Sequence, residues 1–178
     1  MSLLTFLGFG QAEPADAERD TQTVQRIIDE LERLDPNRAR YLAAFAYVLG
    51  RVAHADQYVS DEEVAVMTTF VRELGHLPEA QALLVVQIAR SQNELFGGTE
   101  DYLVTRQFKE MSTPEQRMEL LDCVFAVSAA DDSISGVEES RIRQIVSELR
   151  IDHAAFVKAR AAYSDKRDVI KAFRKDVS

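Results

Sequence analysis

The sequence predicts an all-α protein, a single helical domain of about seven to nine helices in which an acidic helix–turn–helix unit occurs twice. Three observations lead there. Apolar residues recur at three- and four-residue spacing along most of the chain, and no stretch sustains an alternation of period two. Seven Gly and four Pro in 178 residues leave long runs without a helix breaker. The chain also matches itself without a gap when shifted by 75 residues, a mark of repeated supersecondary units.

In chain order, residues 1–20 read as an apolar segment (Met1 to Phe9) followed by a linker of low apolar content, and residues 21–178 as the helical domain. Helical periodicity begins near Thr21, with Val24, Ile27, Ile28, Leu31 and Leu34 on one stripe. Pro36 separates that helix from the next, where Tyr41, Leu42, Phe45, Val48, Leu49 and Val52 keep the same spacing. After a break at residues 56–59, a helix from about Asp61 to Leu74 carries Val64, Met67, Phe70, Val71 and Leu74. Gly75 ends it and Pro78 opens the next, which reaches about Leu95 before Gly97 and Gly98. A shorter helix covers 99–111. Ser112-Thr113-Pro114-Glu115 is a helix start, and the helix it opens runs to about Ala130. A break at residues 131–134 leads into a helix over 136–149, with one or two more filling 152–175.

The self-match compares 52–74 with 127–149. Eight of 23 positions are identical, among them Asp56/Asp131, Ser60/Ser135, Glu63/Glu138, Val71/Val146 and Glu73/Glu148. The repeat units span about 37–75 and 114–150. Each has an apolar face it cannot bury alone, so the two are expected to pack together, about a pseudo-twofold axis.

Two accounts fit the shared pattern Asp-x-x-[Val/Ile]-Ser-x-x-Glu. In the first, Ser60 and Ser135 are N-caps, and Glu63 and Glu138 complete a capping box three residues on. Such a cap is worth about 0.5–2 kcal/mol, enough to retain serine without any ligand. Capping does not require an Asp four residues before the Ser in both units. In the second account Asp56, Glu63, Asp131 and Glu138 set oxygen donors on either side of each turn, as a hard cation such as Ca²⁺ or Mg²⁺ uses. The spacing mirrors the last eight positions of an EF-hand loop. The first half of that loop is missing: Val52 and His54, or Val127 and Ala129, stand where its first acids would be, so neither unit is an EF-hand. A bound ion would need oxygens from both units or from water.

The stretches Ala53-His54-Ala55-Asp56-Gln57-Tyr58-Val59-Ser60-Asp61-Glu62-Glu63 and Ala129-Ala130-Asp131-Asp132-Ser133-Ile134-Ser135-Gly136-Val137-Glu138 resemble the paired signatures of the TerB family, the TerB-like domains of tellurite-resistance operons. A related domain occurs in the membrane-anchored DnaJ-like protein DjlA. The resemblance covers roughly residues 37–163. It implies an all-helical bacterial domain of about seven helices that acts in responses to tellurite, other chemical insults or phage. It further implies assembly with other Ter proteins rather than catalysis, and metal binding at the acids that correspond to Asp56, Glu63, Asp131 and Glu138. Where the family often has Asp-Gly at the turn, this chain has Asp56-Gln57 and Asp131-Asp132.

Composition narrows the function classes. The net charge of −9 repels phosphate backbones, so nucleic acid is a poor default partner. Residues 152–178 run against that balance, with seven Lys/Arg against four Asp, which chiefly solvates a helix. The apolar start lacks a basic n-region and a cleavage site, and it is too short to span a bilayer, so the cytoplasm is expected and any membrane contact would be peripheral. The lone Cys123 lies in an apolar run and reads as a small buried hydrophobe. With three His, no Gly-x-Ser-x-Gly and no phosphate-cradling glycine loop, no enzyme is expected. A di-iron bundle would need two Glu-x-x-His pairs; only Glu73-Leu74-Gly75-His76 occurs. His54 reads as a partly buried polar residue more readily than as a ligand. Two functions remain. One is a non-enzymatic stress-response interaction or sensing module whose acidic turns bind a divalent cation or a basic partner. The other is a structural helical adaptor working through its N-terminal apolar segment or basic C-terminal helix.

Overall fold

The computed structural model describes residues 17–53, 61–91, 101–129 and 136–162. Among them are eight helices and no strand: α1 (Ala17–Glu32), α2 (Pro36–Ala53), α3 (Asp61–Leu74), α4 (Glu79–Arg90), α5 (Asp101–Met111), α6 (Pro114–Ser128), α7 (Gly136–Glu148) and α8 over 153–162. The bounds of α3, α5 and α7 fall within two residues of those the sequence predicts. α1 begins four residues before Thr21, so residues 17–20 are helix rather than linker. α4 ends at Arg90, with Ser91 as its C-cap, rather than near Leu95. The N-terminal apolar segment, and the turns before α3 and α7 with their serine caps, lie outside the described residues.

α2 is the axis of the domain. Between Arg40 and Arg51 it carries no charge, and residues 41–50 are all buried. A helix apolar on every side is stable only when wrapped by others. α4, α5 and α6 pack closely on α2, and α1 and α7 complete the wrapping. Ala43, Ala44, Ala46 and Gly50 leave room for close approach, and the large residues fill the spaces between. Tyr41, Phe45 and Phe108 form an aromatic trio with centroids 5.4–6.1 Å apart that ties α2 to α5.

Local chemistry sets the helix ends. A carboxylate oxygen of Asp35 accepts from the backbone N–H of Asn37 and Arg38, so Asp35 caps α2 and Pro36 takes the first helical position. Thr113 and Gln116 form a reciprocal capping box on α6, with Pro114 inside it. α3 stops at Gly75, where a Cβ would stand 2.5 Å from the Val71 carbonyl oxygen and 3.4 Å from both Cys123 Sγ and Phe45 Cζ. α8 docks through buried Phe156, whose ring stacks on Phe125 at 5.9 Å and lies under the Arg143 guanidinium at 5.5 Å.

Candidate functional site

Of the four acids the sequence singles out, Asp56 and Asp131 lie outside the described residues, as does His54. Glu63 belongs to the first turn of α3. Glu138, half-buried, belongs to the first turn of α7 beside Glu139. Among the described residues no group of three or more His, Cys, Asp or Glu side chains is gathered to hold a metal ion. The helix ends on either side of the two turns are described, and the course of those helices decides where the turns start.

α2 and α6 run side by side in the same direction. Tyr41 of α2 lies within electrostatic reach of Glu119 and Cys123 of α6. One turn further on, Phe45 and Cys123 converge on Gly75. α3 runs the other way along α6: His76, just past its end, meets Glu119 at 3.1 Å, the Phe70 carbonyl accepts from Cys123 Sγ at 3.9 Å, and Val66 and Phe70 cluster with Ala126. Counted from Phe45 and Cys123, which meet at Gly75, the last residues of α2 and α6, Ala53 and Ser128, come within about one helical turn of level at one end of the bundle. Packed helices have axes ~8–10 Å apart. The described ends of α2 and α6 therefore lie at neighbouring points of the bundle.

The exit helices cross over. α3, which follows the first turn, packs on α6, and α7, which follows the second, packs on α2. The two crossings fall at places 75 residues apart and are built of different chemistry. The first is apolar, made of Val66, Phe70 and Ala126 with Leu74 and Val127 at its edge. The second adds a buried polar node to the apolar face that Ile142, Ile145 and Val146 give α7. Arg51 Nη1 donates to Glu148 Oε2 at 2.6 Å and to Thr105 Oγ1 at 2.8 Å, with Nη2 3.5 Å from Glu148 Oε1. The two charged side chains are 6% and 9% exposed, and Thr105 is fully buried. Arg141 Nη1 adds a bond to the Arg51 carbonyl at 2.9 Å, satisfying one of the last acceptors of α2 before the first turn.

This polar node is the feature that reading the sequence missed. The self-match makes Glu73 and Glu148 equivalents, yet Glu73 pairs with neighbouring Arg72 at the surface while Glu148 is buried against Arg51. One signal was available: Arg51 is the only charge in the run from Tyr41 to Ala53.

Several other titratable groups among the described residues have structural explanations. Burial, with the Glu119 charge second, pushes the Tyr41 hydroxyl up from 10.0 to about 12. A hydrogen bond from Arg143, helped by the charge of Arg160, holds the Glu139 carboxyl below its ordinary value. The Glu73/His76 pair considered for di-iron is split, with Glu73 on Arg72 and His76 on Glu119. His76 and Arg150 each take a left-handed backbone, φ 52° and 51°, just past α3 and α7. At α7 the Arg150 and Ile151 N–H groups bond back to Ser147 and Val146, a helix-terminating motif that explains the conformation. Cys123 is buried, as its apolar run predicts.

Comparison with known proteins sets this geometry in context. The family model described as tellurite resistance protein TerB matches residues 41–161, from the first turns of α2 to the end of α8. Neither the curated proteins nor the solved structures compared with the chain include a match.

Proposed function

The chain belongs to the tellurite resistance protein TerB family, and on that premise we propose that it is a non-enzymatic stress-response module whose two acidic turns together hold a divalent cation, Ca²⁺ or Mg²⁺. Its ligands are Asp56, Glu63, Asp131 and Glu138, and the loaded end of the bundle meets a protein partner of the Ter type in the cytoplasm. No described helix is long and apolar enough to cross a membrane.

The observation that carries the reading is the common direction of α2 and α6. Four carboxylates on two turns serve one ion only if the turns start close together, because Ca²⁺ accepts oxygens at 2.3–2.6 Å. Two helices running side by side satisfy that condition; an antiparallel pair would separate the turns by the length of the bundle. The helix starts support it too. Glu63 and Glu138 belong to the first turns of α3 and α7, where the helix dipole favours negative charge. The two units are then copies of one hairpin, each exit helix crossing to the other copy.

A thermal melt tests this. Millimolar Ca²⁺, Mg²⁺ or Mn²⁺ raises the midpoint, since a ligand at 100 times its Kd adds about 2.7 kcal/mol. Each kcal/mol moves the midpoint of a chain this size by about 2–4 °C. Asp56→Asn with Asp131→Asn erases the shift. A wild-type protein whose midpoint ignores all three ions refutes the cation reading and leaves the structural adaptor.

A further inference from the structure

The two crossings are matched in place and unmatched in chemistry, and nothing in the cation reading requires the difference. At the crossing of α3 on α6 the contact is Val66 and Phe70 against Ala126. At the crossing of α7 on α2, beside the buried Ile142 and Ile145 of α7, Arg141 and Glu148 meet Arg51, with Thr105 of α5 closing the network. An apolar crossing would have cost less to build. A buried ion pair loses its hydration, and replacing one with well-packed apolar residues is often neutral or stabilising. What a buried polar contact supplies instead is selectivity, because a buried charge moved away from its partner is left uncompensated.

A chain with two similar hairpins needs that selectivity. If both crossings were apolar, α3 and α7 could each settle on either α2 or α6. A hairpin could equally settle on the corresponding helix of a second copy, giving a swapped dimer. With Arg51 on α2 and Glu148 on α7, docking α7 elsewhere takes the buried Glu148 carboxylate away from its guanidinium. α3 in the place of α7 would set Val66 where Arg141 bonds the end of α2. α7 on α6 would bury Arg141 against Ala126. Thr105 extends the discrimination to α5, which packs on α2 and on α7.

We propose that the Arg51–Glu148–Thr105 node is an assortment device. It pairs α7 with α2 of the same chain and disfavours exchange of hairpins with a second copy. Its effect is on which partner is chosen, more than on how tightly.

The test replaces the node with apolar groups in the full-length chain, Arg51→Met with Glu148→Leu, and follows both stability and association. The expected result is a midpoint equal to or above wild type, with a dimer that grows with protein concentration in light scattering after size exclusion. Refolding from urea at high concentration increases the dimer, because exchange takes place while hairpins are undocked. Arg51→Lys with Glu148→Asp keeps the charges and keeps the wild-type association state through the same refolding, even where it is less stable. A Met/Leu variant that is folded and no more associated than wild type after concentrated refolding overturns the proposal. So does a Met/Leu variant that fails to fold while the Lys/Asp variant folds, since the node would then be needed for stability rather than assortment.

Discussion

Removing one partner of the Arg51–Glu148 pair gives the sharpest energetic prediction. Arg51→Met keeps the apolar stem of the side chain and deletes the guanidinium. Glu148, with its side chain 9% exposed, loses a partner at 2.6 Å, and Thr105 Oγ1 loses its donor at 2.8 Å. Stranding a buried charge costs about 3–5 kcal/mol. At about 2–4 °C per kcal/mol for a protein of this size, the midpoint falls by roughly 6–20 °C. Equilibrium urea unfolding followed by far-ultraviolet circular dichroism measures the loss at 25 °C, and a thermal melt checks it independently. Refutation would be a loss under about 1 kcal/mol, the worth of an exposed ion pair. That result would mean water reaches Glu148 and the node is a surface contact.

Two further predictions probe the same core from other sides. Gly75→Ala sets a Cβ 2.5 Å from the Val71 carbonyl oxygen, between Cys123 and Phe45; we expect a loss of about 1–3 kcal/mol in urea, and an unchanged midpoint would show that the end of α3 has slack. The Tyr41 hydroxyl, held neutral up to about 12 by burial, gives stability that is complete below pH 10.0, where the unfolded phenol is also neutral. From pH 10 to about 12 the unfolded chain sheds a proton that the folded chain keeps, so stability falls. Tyr41→Phe removes one proton from that slope, and an identical alkaline unfolding curve for both proteins would contradict the burial.

Much of the fold can be read from residue spacing because its helix ends rest on local chemistry. Pro36, Gly75, Pro78 and Pro114 interrupt the chain where the structure does, and Thr113 caps where a Ser/Thr-Pro-Glu run predicts it. The status of α2 is harder to see. A search for one apolar stripe selects Tyr41, Leu42, Phe45, Val48 and Leu49, while the alanines between them are what let the helix be buried all round. The polar node joins residues 97 apart and follows no periodicity. Only the tertiary course of α7 makes Glu148 a partner of Arg51 while leaving Glu73 at the surface. For the acidic turns, the sequence supplies the residue types and their spacing; the helix directions supply the neighbouring starting points, which no local pattern contains.

The joint character of the cation site is the claim on which the functional account rests, and the stoichiometry of Mn²⁺ binding by isothermal titration tests it most directly. A shared site takes up a single ion per chain, and Asp56→Asn or Asp131→Asn alone is enough to weaken it. Two ions per chain, with each variant losing one and keeping the other, would show two separate turns and contradict the account; so would no uptake by the wild-type protein.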